Sequence, residues 1–159
     1  MVVKILNSGD GFPGVDYNEE KVDQGQAEIL STQNMDITEN GKVADKDEVR
    51  ETLEQSGNEA KRANNKQFHA VLSIKGDEKS KEELNKIAQD YMNYMGYKDQ
   101  PYAVYAHKDT KNNHVHIVGS RIDKEGKQIK KDFEKLKTQD FIKEKLGINY
   151  SQAELKVKD

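Results

Sequence analysis

The sequence predicts an α/β fold of the α+β type, a central antiparallel sheet flanked by helices. Three stretches carry that prediction. Gln67 to Lys75 sets Phe68, Ala70, Leu72 and Ile74 on one face and His69, Val71 and Ser73 on the other, the period of two of a strand. Pro101 to His107 and His114 to Ile122 are strand-like runs on either side of a polar loop, Lys108 to Asn113, and so have the form of a β-hairpin. Ser80 to Met95 repeats Leu84, Ile87, Ala88, Tyr91 and Met95 at spacings of three and four, the stripe of an amphipathic helix, and Gly96 stops it. At 159 residues the chain has the size of one domain with a single core. The hairpin is expected in the middle of the sheet.

The remaining elements follow in chain order. Val2 to Leu6 is a short strand. Asn7 to Gly14 holds three Gly and one Pro, a loop able to approach a ligand or another backbone closely. Asp16 followed by Glu19 has the form of a helix start, and a helix is expected from Tyr17 or Asn18 to about Leu30. Ser31 to Asp45 is polar, with a turn at Asn40-Gly41. Asp47 to Ala63 reads as a second helix on a thin apolar stripe of Val49, Leu53 and Ala60. Beyond the hairpin, Asp123 to Gly126 is a turn, and Asp132 to Leu146 reads as a helix ended by Gly147. The chain shows no internal repeat and no low-complexity tract.

Composition narrows the function. With 33% hydrophobic and 35% charged residues the chain approaches the disordered class, so folding depends on apolar residues concentrated in the elements just described. The absence of Cys excludes a disulfide scaffold and any thiolate metal site, and suits a reducing cytoplasm. No stretch approaches the roughly 18 apolar residues of a membrane span, and the run at Met1 to Leu6 is too short for a signal peptide. The protein is therefore expected to be soluble, with no membrane insertion. A net charge of -3 argues against a nonspecific nucleic-acid coat protein, though not against a DNA enzyme with locally basic ground. Six lysines between Lys124 and Lys137 form such a strip, read either as a solvated face or as a phosphate contact beside the histidines.

Three of the four His lie within ten residues of one another, at His107, His114 and His116. Side chains two apart on a strand share a face, so His114 and His116 project together while Val115 and Ile117 face the other way. If the polar loop closes a hairpin, His107 falls opposite His114, at the roughly 5 Å Cβ separation of paired residues. Three imidazoles can then converge on one ion and leave positions open for water or substrate, the catalytic pattern. A lone His-x-His on a strand is ordinarily a surface pair; the third His across the hairpin turns the reading to metal. Asp109 is placed either to accept the second ring N–H of a ligand or to bond its own backbone in the turn. His69, on a separate strand, reads as a polar-face histidine.

The run His107-x-Asp109-x-x-Asn112-x-His114-x-His116 followed by Ile117-Val118 resembles the histidine motif of mobilisation relaxases, tyrosine nicking enzymes of the His-hydrophobic-His endonuclease superfamily. Met1 to Ile5 followed by Tyr17-Asn18-x-x-Lys21-Val22 resembles the first motif of relaxases from Bacteroides-type mobilisable elements, and Val71-Leu72-Ser73-Ile74 the second. The motifs come in the family order. Departures are Ile74, where an aromatic often stands, and the loop Gly76-Asp77-Glu78 that follows. The resemblance implies a relaxase-like fold and nicking of single-stranded or cruciform DNA at an origin of transfer, with a Tyr left on the 5′-phosphate. It also implies a cytoplasmic bacterial setting, accessory mobilisation proteins, and Mg²⁺ or Mn²⁺ as cofactor. Imidazoles suit Mn, Zn, Ni or Cu better than hard Mg²⁺, so other transition metals are expected to bind in vitro.

That chemistry needs a phosphate neutralised by a Lewis acid, a nucleophile held in line, and a phenol that gives up its proton. Tyr17 is the expected nucleophile, because it matches the first motif and lies at a helix start just after the glycine-rich loop. Tyr105 is the rival, since it shares a strand face with His107. Ser73, Lys108 and Asn112 are candidate DNA contacts. Residues 1–159 read as a single nicking domain, either whole or the N-terminal part of a longer protein. Competing functions are a rolling-circle replication initiator or transposase with the same chemistry, a non-cleaving DNA-binding module of this fold, and a zinc hydrolase, for which no His-Glu-x-x-His motif is present.

Overall fold

The computed structural model describes residues 1–6, 11–36, 43–60, 63–74, 79–108 and 113–145. In chain order the elements are β1 (Val2–Leu6), α1 (Pro13–Asp23), β2 (Ala27–Gln33), α2 (Lys46–Asn58), β3 (Gln67–Ile74), α3 (Lys81–Tyr94), β4 (Tyr102–His107), β5 (Asn113–Ser120) and α4 (Glu134–Asp140). A π-helical turn, Phe141–Lys145, continues from α4. The five strands form one antiparallel sheet in the order β1-β3-β5-β4-β2. The α+β prediction holds, and the histidine hairpin β4–β5 occupies the middle as expected.

Strand alternation divides the apolar residues between two faces. Phe68, Ala70 and Leu72 of β3, Val104 of β4, and Val115 and Ile117 of β5 are buried beneath Leu84, Ala88, Tyr91 and Met92 of α3, together with Phe141 and Ile142. A capping box starts α3: the Ser80 hydroxyl accepts from Glu83 N, and the Glu83 carboxylate accepts from Ser80 N. On the opposite face a smaller cluster joins Ala103, Tyr105 and Val118 to Val15 of α1 and to Val49 and Leu53 of α2. This second core covers only part of its face. Toward the end of the hairpin where β4 finishes and β5 begins, histidines take the place of aliphatic side chains.

Sequence reasoning misplaced one element. The helix expected to reach Leu30 ends at Asp23, and Ala27–Gln33 is instead an edge strand paired with β4. The cause is Gly25, which adopts φ +75°, a left-handed conformation that closes the helix through Gly25 N to Val22 O and Gln26 N to Lys21 O. The start also moves, from Tyr17 or Asn18 to Pro13, where proline's missing N–H costs nothing in a first helical turn. The last helix starts at Glu134 rather than Asp132, because Phe133 at φ +60° breaks the chain's direction there, and helical structure then runs on through the π turn to Lys145. The expected turn at Asn40-Gly41 lies outside the described residues.

Gly119 carries a packing prediction. A Cβ there would sit 2.7 Å from Tyr102 Cβ and 3.0 Å from Pro101 O, both fixed by the β4–β5 pairing. Gly119→Ala should lower the urea-unfolding free energy by about 1–3 kcal/mol, the usual cost of overpacking.

Candidate metal centre and nucleophile

Register builds the site. His107 pairs with His114, Tyr105 with His116, Val71 with His116 and Ser73 with His114, so these side chains rise from the same face of the sheet. His107 and His116 are buried, and their rings stack at 4.0 Å between centroids. His114 is half-buried, with its ring 4.9 Å from that of His107. One ring nitrogen from each lies within 4.8 Å of those of the other two. Donors of a single kind at this spacing fit a divalent first-row ion held by three imidazoles, with room for further ligands.

Two buried residues orient these rings. The Nδ1 of His116 lies 2.8 Å from Nε2 of His69, with one proton shared between them, which leaves Nε2 of His116 for an ion. The Oδ1 of Asn18 accepts from His107 Nε2 at 2.6 Å, while Asn18 Nδ2 donates to Gly14 O at 2.8 Å. Gly14 makes this possible. Its N–H donates to Gln67 Oε1 at 2.7 Å, and a Cβ at Gly14 would meet that oxygen at 2.8 Å and His69 Nδ1 at 3.0 Å. Only glycine lets α1 lie so close to β3, and Asn18 follows one turn later.

Neither residue was found from the sequence. His69 stood out as a histidine on the polar face of a strand, but its partner is set by strand register, which spacing along the chain does not reveal. Asn18 had no signal beyond its place after Tyr17.

Burial lowers the His69 imidazole to about 4. Burial lowers His116 to about 2, reinforced by the neighbouring His107, His69 and His114. Both are neutral at neutral pH, as metal ligation requires. An unfolded histidine titrates near 6.5. From about pH 6.5 down to about 4 for His69, and down to about 2 for His116, the unfolded chain therefore binds more protons, so this contribution to stability is complete above pH 6.5 and is lost as pH falls through those windows. The melting temperature of the metal-free protein should drop between pH 7 and pH 4.5, and drop less in His69→Gln, as scanning calorimetry can measure.

Tyr17 lies against this cluster. Its ring is stacked on His107 at 5.9 Å and tilted toward His116 at 5.8 Å, and it remains 46% exposed. Lys21, one turn along α1, places its ammonium 5.8 Å from the ring centroid. Tyr105 shares the histidine face but is fully buried, and its hydroxyl donates to Glu19 Oε1 at 2.7 Å. Burial raises the Tyr105 phenol far above the ordinary range, and the Glu19 carboxylate raises it further. Tyr91, Tyr97 and Tyr102 are buried as well, and Tyr94 packs on Phe141 on the opposite side of the sheet. Tyr150 lies outside the described residues.

The other expected contacts divide. Ser73 stands beside His114 in the register, and Lys108 follows directly on β4, its backbone N–H donating to Gln26 O. Asp109 and Asn112 lie outside the described residues. The lysine strip is not beside the histidines. It begins past the far end of β5, and α4 packs on the α3 side through Tyr91 OH and Thr138 Oγ1, 2.7 Å apart.

A family model described as "Relaxase: MobA/VirD2-like, nuclease domain" matches residues 17–147, a span that begins on Tyr17 and contains all three histidines. The chain belongs to this relaxase family. The relaxase domain also superposes on a solved structure from work described as the molecular basis of vancomycin resistance transfer in Staphylococcus aureus. The TM-score is 0.52 at 13% identity, with 94% of this chain and 96% of that one covered. That likeness is one of fold. No curated protein sequence matches the chain. Among the described residues, no helix is long and apolar enough to cross a membrane.

Proposed function

We propose that this relaxase domain, a single domain spanning residues 1–159, nicks one DNA strand at an origin of transfer with Tyr17 as nucleophile and so initiates conjugative mobilisation. The observation that carries the reading is the half-exposed Tyr17 ring lying against two of three convergent histidines. The Tyr17 oxygen bonds to phosphorus as the bond from phosphorus to the 3′ oxygen breaks. The phenol gives up its proton and the 3′ oxygen takes one, leaving a tyrosyl 5′-phosphate and a 3′-OH. One phosphodiester replaces another, so the released 3′-OH can reverse the step.

His107, His114 and His116 hold a divalent ion, Mn²⁺ or Mg²⁺ in the cell, which supplies charge neutralisation and polarisation of the phosphate. Asn18 and His69 fix the ligand rings by hydrogen bonds to the ring nitrogen that faces them. Tyr17 is held in place by its stacking on His107 and by its position on α1, which Gly14 anchors to β3. Ser73, Lys108 and Asn112 contact the strand, and Asp109 supports a ligand histidine. The substrate is single-stranded or cruciform DNA, met in the bacterial cytoplasm alongside accessory mobilisation proteins.

The test is incubation of the protein with labelled single-stranded origin DNA and Mn²⁺, followed by denaturing electrophoresis. A protein–DNA adduct that a chelator prevents is the expected result. Tight binding of DNA with no adduct under any divalent metal would overturn the reading in favour of a non-cleaving module.

A further inference from the structure

Among the described residues four large apolar side chains stand open to solvent: Leu6, Tyr17, Phe133 and Leu136. Tyr17 has its use at the histidines. Phe133 and Leu136 lie close together around the start of α4, 72% and 56% exposed, on the side of the sheet that carries α3. Neither burial nor backbone preference accounts for Phe133. It is left-handed, at φ +60°, a conformation that bulky residues rarely adopt. The support beneath is fixed, because the Glu134 carboxylate turns inward to a largely buried ion pair with Arg121, and Thr138 Oγ1 lies 2.7 Å from Tyr91 OH. Lys130, Lys131, Lys135 and Lys137 bracket the apolar pair, and all four are exposed. Against them residues 130–137 hold only Asp132 and Glu134, and Arg121 already neutralises Glu134. The patch is thus apolar at its centre and cationic around it, in a chain whose net charge is -3.

We propose that this patch docks the protein on an anionic lipid surface, with Phe133 and Leu136 in the headgroup–acyl boundary and the four lysines on lipid phosphates. The contact is peripheral and independent of the nicking chemistry. Charge complementarity selects an anionic partner, and the apolar pair selects among anionic partners. Duplex DNA keeps its base faces stacked inside, so both apolar side chains would stay in water. A single strand binds on successive aromatic faces, and Phe133 is the only aromatic residue between Lys124 and Lys137. A folded protein partner needs about 1,000 Å² of matched surface, which two side chains do not supply. A bilayer asks for no shape match: it takes Phe and Leu side chains to a depth of roughly 5–10 Å and attracts each lysine separately. Residues 146–159 of the chain itself hold Glu154 and Asp159 against Lys156 and Lys158, and so offer the patch no opposite charge.

The test is co-sedimentation of the full chain with vesicles of phosphatidylglycerol and phosphatidylcholine in equal parts, beside vesicles of phosphatidylcholine alone. Binding to the anionic vesicles only, weakening as salt is added, is the expected result. Lys130→Gln/Lys131→Gln should weaken it by about fivefold per lysine. Phe133→Gly/Leu136→Ser should weaken it by about tenfold or more. Glycine suits the left-handed backbone at position 133, so the melting temperature of that variant should not fall through this change, which separates lost docking from lost folding. Lys46→Gln, on α2 and paired with Asp23, should leave binding unchanged. Because the chain contains no Trp, Phe133→Trp supplies a single fluorophore at the patch. Its emission should be that of an exposed indole in buffer and shift to the blue on the anionic vesicles.

No sedimentation with anionic vesicles, or sedimentation with no blue shift, would overturn the proposal. So would blue-shifted emission already in buffer, which would mean that the chain or a second copy covers the patch. A shift produced by duplex or single-stranded oligonucleotides and not by vesicles would overturn it in favour of a nucleic-acid surface. None of these outcomes touches the relaxase reading, since the Tyr17 adduct is assayed without lipid.

Discussion

Tyr17→Phe should reduce formation of the covalent protein–DNA adduct by at least about a thousandfold, the scale seen when a nucleophile is deleted. The substitution removes one oxygen and keeps the ring that stacks on His107 and leans on His116. Because that ring is 46% exposed and its packing survives, folding stability should change by less than about 0.5 kcal/mol. Affinity for single-stranded DNA should stay within about threefold, since the phosphate contacts are made by other groups. Loss of the adduct with binding intact is therefore the signature of a missing nucleophile, and fluorescence titration beside gel quantification separates it from a binding defect. Loss of both together would point to a structural role for the phenol.

The second large effect separates two of the histidines. His114→Ala and His116→Ala should each weaken Mn²⁺ binding by more than the roughly 10–100-fold that follows loss of an outer hydrogen-bond partner, because a ligand itself is removed. Their effects on stability should differ. His114 is half-buried, so its truncation is expected to cost less than about 1 kcal/mol in the metal-free protein. His116 is buried and shares a proton with buried His69 at 2.8 Å. Removing it leaves a cavity and a buried imidazole without its partner, at a further cost of about 1–3 kcal/mol. Calorimetric titration of Mn²⁺ and urea unfolding of the metal-free variants measure the two quantities independently.

How much of this was legible in the sequence depends on whether the information is local. Strand alternation is a local property, so the hairpin, the shared face of His114 and His116 and the position of His107 opposite His114 could all be read from spacing. The amphipathic stripe and capping box of α3 were equally local. Strand β2 was missed because Ile29 and Leu30 extend the apolar pattern of α1 across the break, and the only warning was a single glycine at position 25. Gln33 ends that strand at the sheet edge, where pairing with β4, a non-local contact, decides the conformation.

The parts of the site contributed by distant elements were not legible. His69 reaches His116 across the β3–β5 register, and Asn18 reaches His107 only because Gly14 lets α1 press onto β3. The rivalry between Tyr17 and Tyr105 was likewise open in the sequence, which placed Tyr105 on the right face. Depth separates them: Tyr105 is sealed beneath α1 with its hydroxyl on Glu19, whereas Tyr17 stands on the helix above the histidines and open to solvent. The lysine strip was open between a solvated face and a phosphate contact beside the histidines, and the chain's passage along β5 carries it past the other end of the sheet.

The measurement that bears most directly on the central claim is mass spectrometry of the peptide linked to DNA. After incubation of the protein with single-stranded origin DNA and Mn²⁺, nuclease and protease digestion should leave a 5′-phosphonucleotide on the peptide containing Tyr17, fragmenting to a modified tyrosine at that position. No such peptide should form in the presence of a chelator. A nucleotide found on Tyr105 or any other residue, or strand cleavage with no covalently modified peptide, would contradict the account.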